Sequence, residues 1–208
     1  AEIYSERVAG IIRIVEILSV ADIILLVLII IKQTIDDIRI KNKNQVLEKK
    51  AYVDLQTGLP NKSKCEEMLN NYEYITEPMG FVMFDLNNLK CANDTYGHAV
   101  GDQLITNFAR LLRNAIPAKD FVGRYGGDEF IAIITQTTKN EILKIMDEVH
   151  DEVRHFNENI HKVEVSYAYG YAFSEDYADC TIKTLFDKAD KHMYENKAIE
   201  KAKFEAIV

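Results

Sequence analysis

A chain of 208 residues is long enough for one domain of ordinary size and an appendage. Hydrophobic residues make up 48% and charged residues 28%, a balance that fits a folded chain and excludes disorder. The formal net charge of -8 excludes generic attraction to nucleic acid, so a phosphate-rich ligand would need a local cationic site or a metal.

Residues 1–50 stand apart in composition and are expected to form a long amino-terminal signalling helix, with 51–208 as the main domain. The run GIIRIVEILSVADIILLVLIII at residues 10–31 is about as long as the 20 or so apolar residues that cross a bilayer. Arg13, Glu16 and Asp22 interrupt it, at a cost to a membrane span. The flank after it carries Lys32, Arg39, Lys41, Lys43, Lys49 and Lys50 against Asp36, Asp37 and Glu48, the bias expected on the cytoplasmic side. Ile24, Leu28, Ile31, Ile35 and Ile38 also alternate steps of four and three, the seam of a dimerising coiled coil. Both readings, membrane span and coiled coil, stand at this point. The first residue is Ala1 rather than Met, so a preceding segment is expected.

VDLQTGLPNK, at 53–62, is rich in turn formers and leads into a short helix at 63–75. MGFVMFDL, at 79–86, is a continuous apolar run of strand length and reads as a buried central strand. From Gly101, the positions Leu104, Ile105, Phe108, Leu111, Leu112 and Ala115 trace one helical face, which Pro117 ends. DFVGRY and EFIAIIT flank Gly126-Gly127, the signal of a tight hairpin. Ile142, Met146, Val149, Val153 and Phe156 mark another amphipathic helix. Residues 163–173 alternate large with small or polar side chains, a strand whose two faces differ in shape. A last helix places Ile182, Leu185, Phe186, Ala189 and Met193 on one side, and a short strand at 204–208 closes the chain. The order αβαββαβα contains the split βαβ arrangement of an α+β, ferredoxin-like fold: an antiparallel central sheet with helices around it.

The chemistry concentrates at three places. Asp85 ends the buried run, so its carboxylate sits at the mouth of a central strand. The split βαβ order can bring the Gly126-Gly127 turn beside it, so that Asp128 and Glu129 approach Asp85. Converging carboxylates repel unless a cation sits among them, and oxygen ligands of this hardness suit Mg2+ or Mn2+. The glycines then allow positive φ and leave room for a bulky substrate. A surface hairpin with solvated acids is the plainer reading of the same residues. Asn93 and Asp102 bracket the start of a helix; either alone is an ordinary cap, but an amide with a carboxylate can read a guanine edge. Lys197 and Lys201 share one helix face, where they repel mildly unless they meet an anion. Cys65, Cys91 and Cys180 form no CxxC pair and read as reduced cytoplasmic thiols, Cys91 as a small buried residue.

Taken in order, DLQTGLPNK, FDLNNLKCANDTYGHAVGDQL, GRYGGDEF and ADKHMYENK resemble the GGDEF family of diguanylate cyclases over about residues 54–204. The resemblance implies that two GTP molecules condense to cyclic di-GMP with loss of two pyrophosphates, at the interface of a homodimer. It implies Mg2+ or Mn2+ held by Asp85, the Leu86 carbonyl, Asp128 and Glu129. Asp128, with Glu129 as competitor, would take the 3′-hydroxyl proton, and Lys90 would stabilise charge on the phosphates. Asn93 and Asp102 match the guanine-reading pair, while Asn88, Leu89, Lys197 and Lys201 fall among the substrate-binding positions. An upstream sensor domain and a cytoplasmic catalytic domain anchored to the cell membrane are expected. A catalytically silent GGDEF domain that binds GTP or relays a signal is the alternative, and a membrane-anchored scaffold without nucleotide affinity is a third.

Three departures from the family pattern stand out. Asn87 replaces a frequent Asp. Lys201 replaces a phosphate-contacting Arg, giving a point charge without the bidentate fork. Pro117 replaces the Arg of the product-binding RxxD, leaving only Asp120, so no inhibitory site is expected.

Overall fold

The computed structural model describes residues 2–71, 75–159 and 163–205; the side chains of 200–205 and of parts of the first helix, residues 44–50 among them, lie outside that description. Two compact units are present, Ala1–Lys49 and Lys50–Val208. Helix α1 runs Glu2–Tyr52. Within the first unit, Leu18–Lys43 is apolar and long enough to cross a membrane, and its described side chains, including those of Ile24, Leu28, Ile31, Ile35 and Ile38, are exposed.

The second unit is built on four strands: β1 (Met79–Leu86), β2 (Phe121–Arg124), β3 (Glu129–Thr135) and β4 (Tyr167–Phe173), in the spatial order β2-β3-β1-β4. Every neighbouring pair is antiparallel, as the split βαβ reading requires. Helices cover both faces, which is why β1 is an unbroken apolar run and buried along its whole length. Val82, Phe84 and Leu86 share one face with Phe130, Ala132 and Ile134 and pack on α4 (His98–Ala115) and α5 (Lys139–Glu158). Phe108 of α4 sits at the centre, its ring 5.3 Å from Phe130 and 6.1 Å from Phe84, both edge-on. Phe81, Met83, Ile131 and Ile133 point the other way, against α2 (Lys62–Asn71) and α6 (Ile182–Glu205) through Cys65, Leu185, Ala189 and Met193. Burial pushes the Cys65 thiol up to about 12, so it behaves as an inert core residue.

The alternation in β4 has a packing reason. Tyr167, Tyr169 and Tyr171 join the α4/α5 face, whereas Ala168 and Ala172 lie on the α6 face with Gly170 between them. A Cβ on Gly170 would meet the Ala189 carbonyl oxygen and the Met193 nitrogen, so the backbone of α6 lies directly on the strand. Two α6 side chains also bind carbonyls of this edge strand. Asn196 donates to Tyr169 O at 2.8 Å, and His192 Nδ1 lies 3.0 Å from Tyr171 O, a contact that requires the Nδ1–H tautomer.

Four local expectations change. Residues 163–166 are not strand; the Asn157 side chain instead bonds both the N–H and the C=O of Val165, at 2.9 Å each. The helix traced from Gly101 is α4, which begins at His98, and an unexpected helix, α3 (Leu89–Tyr96), precedes it; Gly97 separates the two with a φ of 85° open to glycine. Cys91 is exposed; Ala92 beside it is the buried residue. Finally, α6 continues to Glu205 where a closing strand was expected from 204, and 206–208 lie outside the described residues.

Candidate active site

The carboxyl end of β1 and the amino end of β3, the two inner strands, meet at one end of the sheet. Asp85 stands opposite Glu129 in register, and Leu86 N–H donates to Asp128 O at 3.0 Å, so the hairpin end is tied to the strand that carries Asp85. Asp85 is 7% exposed, and Lys197 of α6 donates to its Oδ1 at 2.6 Å. Burial pushes the Asp85 carboxyl up; the Lys197 hydrogen bond and charge pull it down, and the Asp128 charge adds to the rise. Glu129 is pushed up as well, by burial first and then by Asp128, Asp85 and Asp190, with Lys197 opposing. The acids therefore sense one another, the condition a bound cation relieves.

The donor set is entirely oxygen and suits Mg2+ or Mn2+, and Lys197 supplies a positive charge on Asp85. Among the described residues, no three acidic, histidine or cysteine side chains draw together into a ready-made cage. One of the two reasons expected for the glycines, a positive φ, does not hold. Neither Gly126 nor Gly127 has a positive φ. At Gly126 a Cβ would meet the carboxylate end of Glu129, so a side chain there would push that acid aside, while Gly127 faces open space.

Beyond β1 the chain turns sharply. Asn87 donates to Ser166, from Nδ2 to Oγ at 3.1 Å and from N to O at 2.8 Å, so its amide ties β1 to the segment before β4. Asn88 takes a left-handed conformation, φ 58°, and opens α3 with no side-chain cap. The first-turn N–H groups of Leu89 and Lys90 thus belong to an uncapped helix end, and Lys90 is exposed. Asn93 on α3 lies against Gly101 on α4, where any Cβ would collide with its amide. Close packing of the two helices brings Asn93 beside the neighbour of Asp102, whose side chain is exposed. His98 is exposed at the first position of α4. Lys201 lies on α6 with its side chain outside the described residues.

Sequence reasoning missed the network on the other side of the hairpin. Arg124 Nη1 donates to both Asp54 oxygens, at 3.1 and 3.2 Å, and to Gln56 Oε1 at 2.7 Å, while Nη2 donates to Gly127 O at 2.7 Å. Burial works to raise the Asp54 carboxyl, but hydrogen bonds from Thr57 Oγ1 and N, with Arg124, hold it below the usual carboxylate range. The Asp-x-x-Thr spacing was the available signal, because an Asp accepting from a backbone N–H a few residues on is a standard turn builder. The Arg124 and Asp54 side chains are only 13% and 22% exposed. Asp54→Ala should therefore strand a buried guanidinium and destabilise the domain by about 3 kcal/mol, measurable by urea unfolding.

At the segment 117–120, Asp120 Oδ1 accepts from Thr135 N at 3.0 Å and from Thr135 Oγ1 at 3.2 Å, and its Oδ2 is buried without a partner. The nearby arginines are engaged elsewhere: Arg113 donates to Gly58 O at 3.2 Å, and Arg110 lies over the Phe156 ring.

Split βαβ topology with acids and a lysine gathered at one end of the inner strands defines the class of domain, and comparison with known proteins defines the family. The family described as "Diguanylate cyclase, GGDEF domain" matches residues 51–203. The chain belongs to the GGDEF family. It is 28% identical over 172 residues to an uncharacterized membrane protein of Staphylococcus saprophyticus, covering 77% of this chain and 48% of the relative. It is 27% identical over 165 residues to diguanylate cyclase A of Treponema denticola, covering 75% and 44%. The chain thus spans about half the length of these relatives. Among solved structures, the coiled coil and GGDEF domain of DgcB from Caulobacter crescentus, in complex with c-di-GMP, has a TM-score of 0.71. It is 21% identical and is covered over 80% of this chain and 91% of that one, a likeness of fold.

Proposed function

We propose that this chain is a diguanylate cyclase that condenses two GTP into cyclic di-GMP and two pyrophosphates. The observation that carries the reading is the pairing of Asp85 with Glu129 across β1 and β3, with Lys197 on Asp85 and the Asp128 charge felt by both acids. Each 3′-oxygen bonds to the α-phosphorus of the other nucleotide, the bond to pyrophosphate breaks, and the hydroxyl proton passes to a carboxylate. Asp128 is assigned that proton. Glu129 is the competitor, and its raised carboxyl counts in its favour as a base.

Asp85, the Leu86 carbonyl, Asp128 and Glu129 would hold Mg2+ or Mn2+, which when bound offsets charge on the phosphates. Lys90, Lys197 and Lys201 add positive charge, and the uncapped start of α3 at Asn88 and Leu89 offers backbone donors to phosphate oxygens. Asn93 and Asp102 read the guanine. One domain presents one half of the reaction, so two must face each other. Association through α1, as a membrane span or as a coiled coil, raises their effective concentration. The apolar stretch Leu18–Lys43 supports anchoring to the membrane. The excess of Lys and Arg from Lys32 to Lys50 favours the cytoplasmic side for the domain of 51–208, and a sensor upstream would supply the input.

Incubation of the purified chain with GTP and Mg2+ should yield cyclic di-GMP and pyrophosphate. A confirmed dimer that binds GTP without turnover would instead favour the silent, relay reading. We further propose that the product does not inhibit through the 117–120 segment, because Pro117 offers no charge and Asp120 is bonded to Thr135. Initial rates should therefore stay flat as cyclic di-GMP is added; a fall abolished by Asp120→Ala would contradict this.

A further inference from the structure

Gln56 is held at both ends of its amide. Its Oε1 accepts from Arg124 at 2.7 Å, and its Nε2 donates to Asp102 Oδ1 at 2.9 Å and approaches Asp102 O at 3.4 Å. The orientation of the amide follows from its neighbours: a guanidinium only donates and a carboxylate only accepts. Arg124 is itself fixed by Asp54 and by Gly127 O. A chain of bonds thus runs from Asp54 through Arg124 and Gln56 to Asp102, whose carboxylate is otherwise at the surface.

We propose that Gln56 is a positioning residue for guanine recognition, one that fixes the plane of the Asp102 carboxylate. This rests on the reading of Asp102 as the group that accepts from the guanine base. An exposed carboxylate turns freely about its last torsion, whereas a base presenting N1–H and a 2-amino group needs both oxygens in its own plane. The Gln56 donor takes one lone pair of Oδ1 and leaves Oδ2 and the second Oδ1 lone pair for the base. Ordering the carboxylate before binding removes that entropic cost from the binding step. The effect falls on capture of the correct base rather than on the chemical step.

Two substitutions test this in the full chain. Gln56→Leu keeps the bulk and removes both hydrogen bonds; Gln56→Glu keeps the contact with Arg124 and turns a like charge on Asp102. Initial rates of pyrophosphate release would be measured with GTP and with inosine triphosphate, which lacks the 2-amino group, beside thermal melts of each variant. The expected result is a KM for GTP raised about tenfold with kcat within about twofold, and a smaller preference for GTP over inosine triphosphate. A merely structural role would lower the melting temperature and leave that preference unchanged. Were the wild-type chain to bind nucleotide without turning it over, the same comparison would be made by calorimetry with non-hydrolysable analogues. Variants that keep the wild-type KM, or Kd, and preference overturn the inference alone. A wild-type chain that neither turns over nor binds GTP overturns the cyclase reading and this inference with it.

Discussion

Asp85→Asn is expected to lower cyclic di-GMP formation on the order of a thousandfold while leaving the metal-free chain more stable, not less, at alkaline pH. The rate loss follows from position. Asp85 is the buried acid of the site, and an amide cannot replace a carboxylate as a hard-cation ligand. Each loss of about 1.4 kcal/mol of charge stabilisation is tenfold, so a few such units are enough. The stability gain follows from the sign of the pKa shift. Asp85 is pushed above its ordinary value despite Lys197. Such a carboxyl favours the folded state below its unfolded pKa, and that contribution is lost as pH rises through the folded value.

Asparagine is neutral throughout, so it escapes this loss and relieves Glu129 of one of the charges that raise it. It also keeps an oxygen for Lys197, whose side chain is 40% exposed and readily solvated. The melting temperature of the variant relative to wild type should therefore climb as the pH rises out of the ordinary carboxylate range, in the absence of Mg2+. Added Mg2+ should stabilise the wild type and not the variant. A variant that melts below wild type at pH 8 without metal, or that retains turnover, would contradict this account of the site.

Much of that site was legible because burial and polarity clash in a readable way. An apolar run ending at Asp85 marks a carboxylate at the mouth of an inner strand, and the split βαβ order puts β3 and its leading Glu129 against β1. The large-small alternation of β4 likewise announced two different neighbours, the tyrosine face for α4 and α5 and the Ala168–Gly170–Ala172 face for α6. What stayed hidden depends on contacts with no period. Gln56 meets Asp102 and Arg124 from 46 and 68 residues away through single side-chain bonds, which leave no trace in spacing. The positive φ expected at Gly126 and Gly127 is absent. Gly101 and Gly126 lie against the Asn93 and Glu129 side chains, contacts between distant or turning segments that spacing does not reveal. Asp120 looked like the remnant of a regulatory pair, yet it serves as a hydrogen-bond acceptor for the end of β3.

Gly170→Ala should destabilise the domain by about 3 kcal/mol, whereas Gly80→Ala should cost about 1 kcal/mol, although a Cβ at either position meets its nearest neighbour at a forbidden distance. The difference lies in what is met. At Gly80 the obstacle is the end of the Ile142 side chain, which can change rotamer. At Gly170 it is the backbone of α6 at Ala189 and Met193, which cannot yield without shifting the helix. Moving α6 also pulls on the bonds from Asn196 and His192 to the edge of β4, and carries Lys197 away from Asp85. At about 2–4 °C per kcal/mol for a chain of this size, Gly170→Ala should melt roughly 10 °C below wild type. Cyclase activity should fall further than the unfolded fraction explains, because the Lys197 contact depends on the seat of the helix. Equal costs at the two glycines in urea unfolding would mean that α6 can slide on the sheet, and that Gly170 does not set the position of Lys197.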